Sequence, residues 1–312
     1  MAQQHEEKKQ SWRSSIFELA YLLLIVFCIR TFFFGLYQVP TGSMETTMLV
    51  GERFFADKLS YNFRKPRYGE IIAFNSPEFK YSSNPLMQLF QRYVWGPDNW
   101  TKRVIGIPGD TIRGVIENGK PVIYRNEIKL DEPYLNKYPL ICVSRQTRAA
   151  IEQEIQEMAQ GYKLDQAAVE HYIEQRLRQD ILPPRSYDSS VAFDKQPFYD
   201  IDSKRVIRND QGNPVLIIPG TPVEPRKKGA PSPDEFSITL GPDQYWCMGD
   251  NRLGSHDCRF FGPVKEQEIH GRIIFLIWSI DSNESWWIVD LIKHPINFWQ
   301  RVRWSRFFQI LH

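Results

Sequence analysis

The sequence predicts a mainly β protein: an antiparallel sheet or barrel behind one N-terminal transmembrane helix, interrupted by an insertion of helical and irregular chain. Three observations predict it. An apolar run fills residues 19–37. Short β-branched and aromatic segments with Gly and Pro punctuation occupy residues 38–142 and resume over 235–285, a pattern of antiparallel strands rather than βαβ units. Between them, residues 143–234 change to helical periodicity and then to Pro-rich chain. Residues 1–18 form a polar N-terminus and residues 286–312 an aromatic and basic tail.

The run reads LAYLLLIVFCIRTFFFGLY, apolar and aromatic apart from Arg30 and Thr31. Nineteen helical residues span roughly 28 Å, close to the ~30 Å hydrocarbon core of a bilayer. No small-x-small cleavage site follows, because Phe32, Phe33, Phe34, Leu36 and Tyr37 are all large, so the run reads as an uncleaved anchor. Lys8, Lys9 and Arg13 precede it and the next basic residue after Arg30 is Arg53. The positive-inside rule then puts the N-terminus in the cytoplasm and everything after Tyr37 outside, a single-pass protein of the cell (inner) membrane.

Beyond the anchor, residues 53–61, 70–75, 103–107 and 111–117 read as strands. Asn118-Gly119 separates 111–117 from a run at 121–130, the strongest short hairpin signal. Later strands are expected at 215–218, 244–248 and 272–280. In the insertion, Ile151, Ile155 and Met158, then Val169, Tyr172, Ile173 and Leu177, recur at helical spacing, which predicts two amphipathic helices parted near Gly161. A Pro-rich stretch with a turn at 209–213 follows. In the tail, Trp286, Trp287, Phe298, Trp299, Trp304, Phe307 and Phe308 mix with Lys293, Arg301, Arg303 and Arg306, a composition that suits a membrane interface or a terminal element packed on the body.

Charge excludes one function class. Net charge is +2, from 39 basic and 37 acidic residues, so no basic field points to nucleic acid. The four cysteines have no metal-ligand spacing, and no metal or organic cofactor is expected. Cys247 and Cys258 are read either as a pair in an oxidising compartment or as two free thiols.

Three motifs carry chemistry. Ser43 lies in Val39-Pro40-Thr41-Gly42-Ser43-Met44, a few residues beyond the anchor. Lys102 and Arg103 open a run ending at Asp110. A third segment covers 249–259, from Gly249 and Asp250 to Asp257, Cys258 and Arg259. A serine becomes a nucleophile only with a base to take its proton, and lysine serves as that base when its surroundings keep it neutral. Lys102 sits between Trp100 and Val104-Ile105-Gly106-Ile107. Burial there would lower its pKa, and a drop from ~10.4 to ~8 corresponds to roughly 3 kcal/mol.

In order and spacing behind an anchor, these motifs resemble the type I signal peptidase family, membrane serine proteases with a Ser/Lys dyad. The resemblance covers the anchor, residues 37–136 and residues 234–280. It implies a core of coiled antiparallel sheets and a membrane-anchored serine endopeptidase that cleaves signal peptides from exported preproteins. Its partners would be those preproteins and membrane lipid. Residue by residue, it implies Ser43 as nucleophile, Lys102 as general base and the Thr41 hydroxyl with the Ser43 N–H as oxyanion donors. It further implies Ser255 orienting the lysine, Asp257 and Arg259 as an ion pair, and Arg103 as structural neighbour. Groove walls would include Tyr37, Val39, Pro40, Met44, Met48 and Thr101, admitting small side chains at the −1 and −3 positions.

In the third segment, alternate residues of an extended chain would put Ser255, Asp257 and Arg259 on one face. Asp250 and Arg252 read as structural charges of a Gly-flanked turn. His256 beside Asp257 raises a Ser-His-Asp triad, which adjacent residues pointing to opposite sides disfavour. Thr46, Leu253 and Cys258 stand where the family commonly has proline, an acidic residue and serine; none of these removes a catalytic group. Two rivals are a Ser/Lys self-cleaving regulator, against which the anchor in place of a helix-turn-helix argues, and a non-catalytic anchored binding module, against which the presence of both Ser43 and Lys102 argues.

Overall fold

The structure, a computed structural model, describes residues 2–162, 165–225, 227, 229–282 and 287–311. Helix α1 (Ala2–Cys28) runs into a π-helical turn at Ile29–Phe33. Ser14–Phe33 is a helical stretch of 20 residues long and apolar enough to cross a membrane. The helix does not reach residue 37 as the apolar run suggests. Phe34–Gln38 is instead strand β1, paired antiparallel with β2 (Arg53–Asp57) from Phe34↔Asp57 to Gln38↔Arg53. Aromatic residues and Gly35 suit an extended, half-buried chain, and hydropathy alone does not separate such a strand from the end of a span. The side chains of Lys8, Lys9 and Arg13, and the whole of Trp286, lie outside the described residues.

The expected 53–61 strand stops at Asp57, whose Oδ1 accepts from the N–H groups of Leu59 and Ser60 at 2.8 and 3.1 Å and turns the chain into α2 (Ser60–Phe63). Strand β3 (Ile71–Asn75) follows. Then comes α3 (Pro85–Tyr93), absent from the sequence expectations, and β4 (Asn99–Gly106). Strands β5 (Thr111–Glu117) and β6 (Lys120–Arg125) form the expected hairpin. Asn118 and Gly119 both have positive φ, 51° and 76°, as a two-residue primed turn requires. A second such turn, at Asn126 and Glu127 with φ 50° and 63°, divides the 121–130 run and starts β7 (Ile128–Lys129).

In the insertion, β8 (Leu140–Ile141) pairs with β9 (Arg185–Ser186) and β10 (Leu216–Ile217). Between β8 and β9 stand α4 (Arg148–Tyr162) and α5 (Gln166–Gln179), held face to face by Ile151, Ile155 and Ile173. Met158 and Tyr172, expected on that face, are exposed. The chain closes with β11 (Phe236–Thr239), β12 (Gln244–Met248), α6 (Cys258–Phe261), β13 (Val264–Lys265), β14 (Ile269–Trp278), α7 (Trp287–Lys293) and α8 (Pro295–Gln300).

These strands build a seven-stranded antiparallel sheet, in order β1-β2-β14-β3-β4-β12-β13, and a four-stranded sheet, β11-β5-β6-β7. Strand β3 explains how the large sheet is used. Ile72 and Phe74 enter one core with Val104, Ile112, Ile123 and Trp246, while Ile71 and Ala73 enter another with Val39, Met44, Met48 and Leu276. Successive side chains alternate between faces, so a strand buried on both sides reads as a continuous apolar run.

The tail packs on the body. Phe298, Val302 and Leu311 are buried, and Arg306 pairs with the buried Glu52 carboxylate. Trp299, Trp304 and Phe308 of the same tail remain exposed. The insertion is bonded to the loop after β1. The buried Glu45 carboxylate accepts from the Ser186 N–H at 2.8 Å and hydroxyl at 2.6 Å and from the Tyr199 hydroxyl, and Leu49 joins the insertion's apolar cluster. Tyr199→Phe should cost about 1–3 kcal/mol of unfolding free energy, because Glu45 loses a donor it cannot replace from water. Denaturant unfolding of the two proteins checks this.

Candidate active site

Ser43 sits in a single 3₁₀ turn, Gly42–Met44, entered through extended Thr41. Its Oγ lies 2.9 Å from the Nζ of Lys102, which projects from β4. Both residues are buried, at 7% and 5% exposure, although 59 positions separate them in the chain. Lys102 Nζ also donates to the carbonyl of Thr101 at 3.1 Å and lies 5.9 Å from the centre of the Trp100 ring. Burial is the largest influence on its pKa and pulls it from 10.5 down to about 8, against the weaker upward pull of Asp257, Cys258, Cys247 and Asp250.

Two buried ion pairs flank the lysine. Arg103 Nε and Nη2 hold the two oxygens of Asp250 at 2.8 and 2.7 Å, and Thr47 Oγ1 donates to Asp250 at 2.6 Å. Arg259 Nε and Nη2 hold Asp257 at 2.8 and 2.9 Å, and Arg259 Nη1 reaches Asp234 at 2.7 Å. Burial by itself would raise the Asp257 pKa, but the Arg259 guanidinium outweighs it and holds the carboxyl below its ordinary value. The pairing of Asp250 with Arg103 across 147 residues leaves no mark in the sequence.

The third segment departs from an extended strand. Asp257 caps α6, accepting from the Arg259 N–H at 3.2 Å, so Arg259 lies in a helical turn and meets Asp257 from there. Ser255 Oγ is buried, and its hydroxyl helps to hold the Asp257 carboxyl below its ordinary value rather than making the expected bond to Lys102. His256 turns away from Asp257: its Nε2 lies 3.1 Å from Glu78 and its ring packs on Trp100 and Phe260. Cys247 and Cys258 are free, buried thiols, and the Cys247 N–H donates to Cys258 Sγ at 3.1 Å.

Of the expected groove residues, Val39, Met44 and Met48 form one buried cluster with Tyr37 against it, while Pro40 is exposed and Thr101 half-buried. Tyr37 stacks on Phe54, and burial pushes its hydroxyl up to about 12, so it stays protonated. Thr41 is exposed, with no side-chain bond to the turn it precedes.

Two positioning residues escaped the sequence reading. Asn251 ties the serine turn to the third segment: its N–H donates to the Ser43 carbonyl at 3.1 Å and its Nδ2 to the Gly42 carbonyl at 2.9 Å. Gly249 lies where that turn and Ser255 meet, since a Cβ there would stand 2.3 Å from Ser255 Oγ and 2.4 Å from the Ser43 carbonyl oxygen. The density of Gly, Asp and Asn over 249–251 was the only available signal. Among the described residues, no group of His, Cys, Asp and Glu is arranged to hold a metal.

Comparison with known proteins identifies a family for the chain. Residues 12–278 match the family described as signal peptidase, peptidase S26. Signal peptidase I of Buchnera aphidicola subsp. Schizaphis graminum is 27% identical over 292 residues, covering 90% of this chain and 80% of that protein. Signal peptidase I of Aquifex aeolicus is 25% identical, over 86% of this chain and 84% of that one. A solved signal peptidase I from Enterococcus faecalis covers 67% of this chain and 97% of its own, at 17% identity and a TM-score of 0.27.

Gly249→Ala tests the packing. With a backbone carbonyl 2.4 Å from the new methyl, the serine turn must shift. A displacement near 1 Å lowers reaction rates by about 100-fold. Peptide-bond hydrolysis assays should show that loss in protein whose circular dichroism is unchanged.

Proposed function

Because the chain belongs to the signal peptidase family, peptidase S26, whose members are serine endopeptidases that cleave signal peptides, we propose that it hydrolyses exported preproteins with a Ser43/Lys102 dyad while anchored in the cell membrane by α1. The observation that carries the mechanism is the 2.9 Å contact between Ser43 Oγ and a buried lysine amine whose pKa falls to about 8. Near neutral pH a useful fraction of that amine is unprotonated and accepts the serine proton as Oγ attacks the scissile carbonyl. The Ser43 N–H and the Thr41 hydroxyl receive the oxyanion. Lys102 then delivers its proton to the leaving amine, which departs and leaves the signal peptide esterified to Ser43. In the second half Lys102 takes a proton from water, and the acyl ester is hydrolysed.

Ser255 shapes the wall of this site through Gly249, and Asp257 with Arg259 and Arg103 with Asp250 hold the loops that present the dyad. Tyr37, Val39, Pro40, Met44, Met48 and Thr101 form the groove for the residues before the cut. The site faces the non-cytoplasmic side, with the N-terminus in the cytoplasm, and lipid surrounds α1.

Lys102→Arg should lower kcat/KM at least about 100-fold, because a guanidinium stays protonated and cannot act as base. Ser43→Ala should be inactive. Full activity in a folded Lys102→Arg protein contradicts the assignment. In wild type, kcat/KM should rise with pH through about 8, as the amine loses its proton.

The same pKa shift has a cost in stability. The folded value lies below the ordinary lysine value, so stability increases as pH rises from about 8 to 10.5, and the full penalty is present below that window. Lys102→Met should therefore stabilise the fold at pH 7, by up to about 3 kcal/mol, and much less at pH 10. Denaturant unfolding at the two pH values measures the difference.

A further inference from the structure

Helix α3 leaves its apolar stripe uncovered. In a domain surrounded by water, a surface helix buries its apolar stripe and exposes its polar one. No residue of α3 is buried. Of its polar side chains, Gln91 faces protein, its Oε1 accepting from the Ser82 N–H at 2.8 Å, while Gln88 and Arg92 are exposed, Arg92 with its guanidinium 5.8 Å over the Tyr81 ring. Leu86, Leu89, Phe90, Tyr93, Val94 and Trp95 are all exposed, Leu86 and Trp95 each at 79%. Leu86, Leu89, Phe90 and Tyr93 recur at spacings of three, four and seven, one continuous stripe of a helix. The element is firmly started, with Asn84 Oδ1 accepting from the Leu86 N–H at 2.9 Å and Pro85 in the first turn. It holds no acidic residue.

The stripe is continuous with the apolar surface of α1. The Tyr93 ring packs on Phe32, with centroids 6.1 Å apart, and Phe32 belongs to the last turn of the Ser14–Phe33 stretch. Phe33 and Leu36 beside it are exposed as well. Twenty helical residues rise ~30 Å, the thickness of the hydrocarbon core, so Phe32 marks the level at which the chain leaves the lipid. A helix tethered at that level with an exposed apolar stripe and no acidic residue has the character of an interfacial segment.

We propose that α3 lies in the lipid surface on the side where α1 ends, its Leu86, Leu89, Phe90 and Trp95 side chains in the headgroup and acyl boundary. This rests on the reading that α1 spans a membrane. The helix sits between β3 and β4, and β4 carries Lys102, so its seating holds the dyad close to the membrane surface. It provides a second lipid contact, distinct from both the span and the aromatic tail.

The test uses the full chain in liposomes whose lipids carry bromine near the top of the acyl chain. The difference in emission between wild type and Trp95→Phe isolates Trp95 from the other eight of nine tryptophans. Brominated lipid should quench most of that difference signal, and aqueous acrylamide little of it. Leu86→Gln with Leu89→Gln and Phe90→Gln should reverse both while leaving cleavage of a soluble peptide unchanged. Trp95 reached by acrylamide and not by bromine, in a chain that resists alkaline extraction, overturns the proposal and leaves the α1 reading standing. Trp95 shielded from both quenchers means that a second copy of the chain or another protein covers α3, which also overturns it. Extraction of the chain by alkali removes the α1 reading and the proposal together.

Discussion

An amine that stays unprotonated inside a folded protein is the constraint on which the proposed chemistry depends. Desolvation of Lys102 lowers its pKa, but any uncompensated carboxylate nearby would restore the proton. Asp250 and Asp257 are both close enough to exert that pull. Each is bound at both oxygens by a guanidinium of its own, Arg103 and Arg259, which offsets its field at the lysine. Among the described residues, the hydrogen bonds of Lys102 Nζ go to neutral oxygens, Ser43 Oγ and the Thr101 carbonyl. The two ion pairs thus serve as more than loop staples: they let acidic residues stand beside a neutral lysine.

The serine turn is held from three directions, each supplied by a different part of the chain. Asn251 bonds the carbonyls of Gly42 and Ser43. The insertion grips Glu45, two residues on, through Ser186 and Tyr199, and burial raises the Glu45 pKa despite these donors. The tail reaches Glu52, where Arg306 and the Ser279 hydroxyl meet the carboxylate that also accepts from the Leu49 N–H at 2.7 Å. Insertion and tail, whose roles cannot be read from their composition, are therefore buttresses of one short loop.

What the sequence made legible was local. Short aliphatic and aromatic runs located β3, β5 and β12, and Asn118-Gly119 marked its hairpin because those two residues tolerate the left-handed conformation the turn demands. The setting of Lys102 in an apolar strand foreshadowed its depressed pKa, since its nearest neighbours supply much of the burial. What stayed hidden was either ambiguous or distant. Phe34–Gln38 is as hydrophobic as a span, and only its pairing with Arg53–Asp57 makes it a strand. The shared face expected for Ser255, Asp257 and Arg259 from their alternate spacing is lost once Asp257 caps a helical turn. The bonds from Arg103 to Asp250 and from Ser186 to Glu45 cross more than a hundred residues, beyond the reach of any local pattern.

The most direct test is to titrate the amine itself. Carbon-13 labelling of the lysine side chains, with the Lys102 resonance assigned by its loss in Lys102→Arg, gives the protonation midpoint in the folded protein. A midpoint near 8 is the result this account predicts. A midpoint at the ordinary lysine value of 10.5 would mean that Lys102 is fully charged beside Ser43 at neutral pH, and the proposed base would be lost.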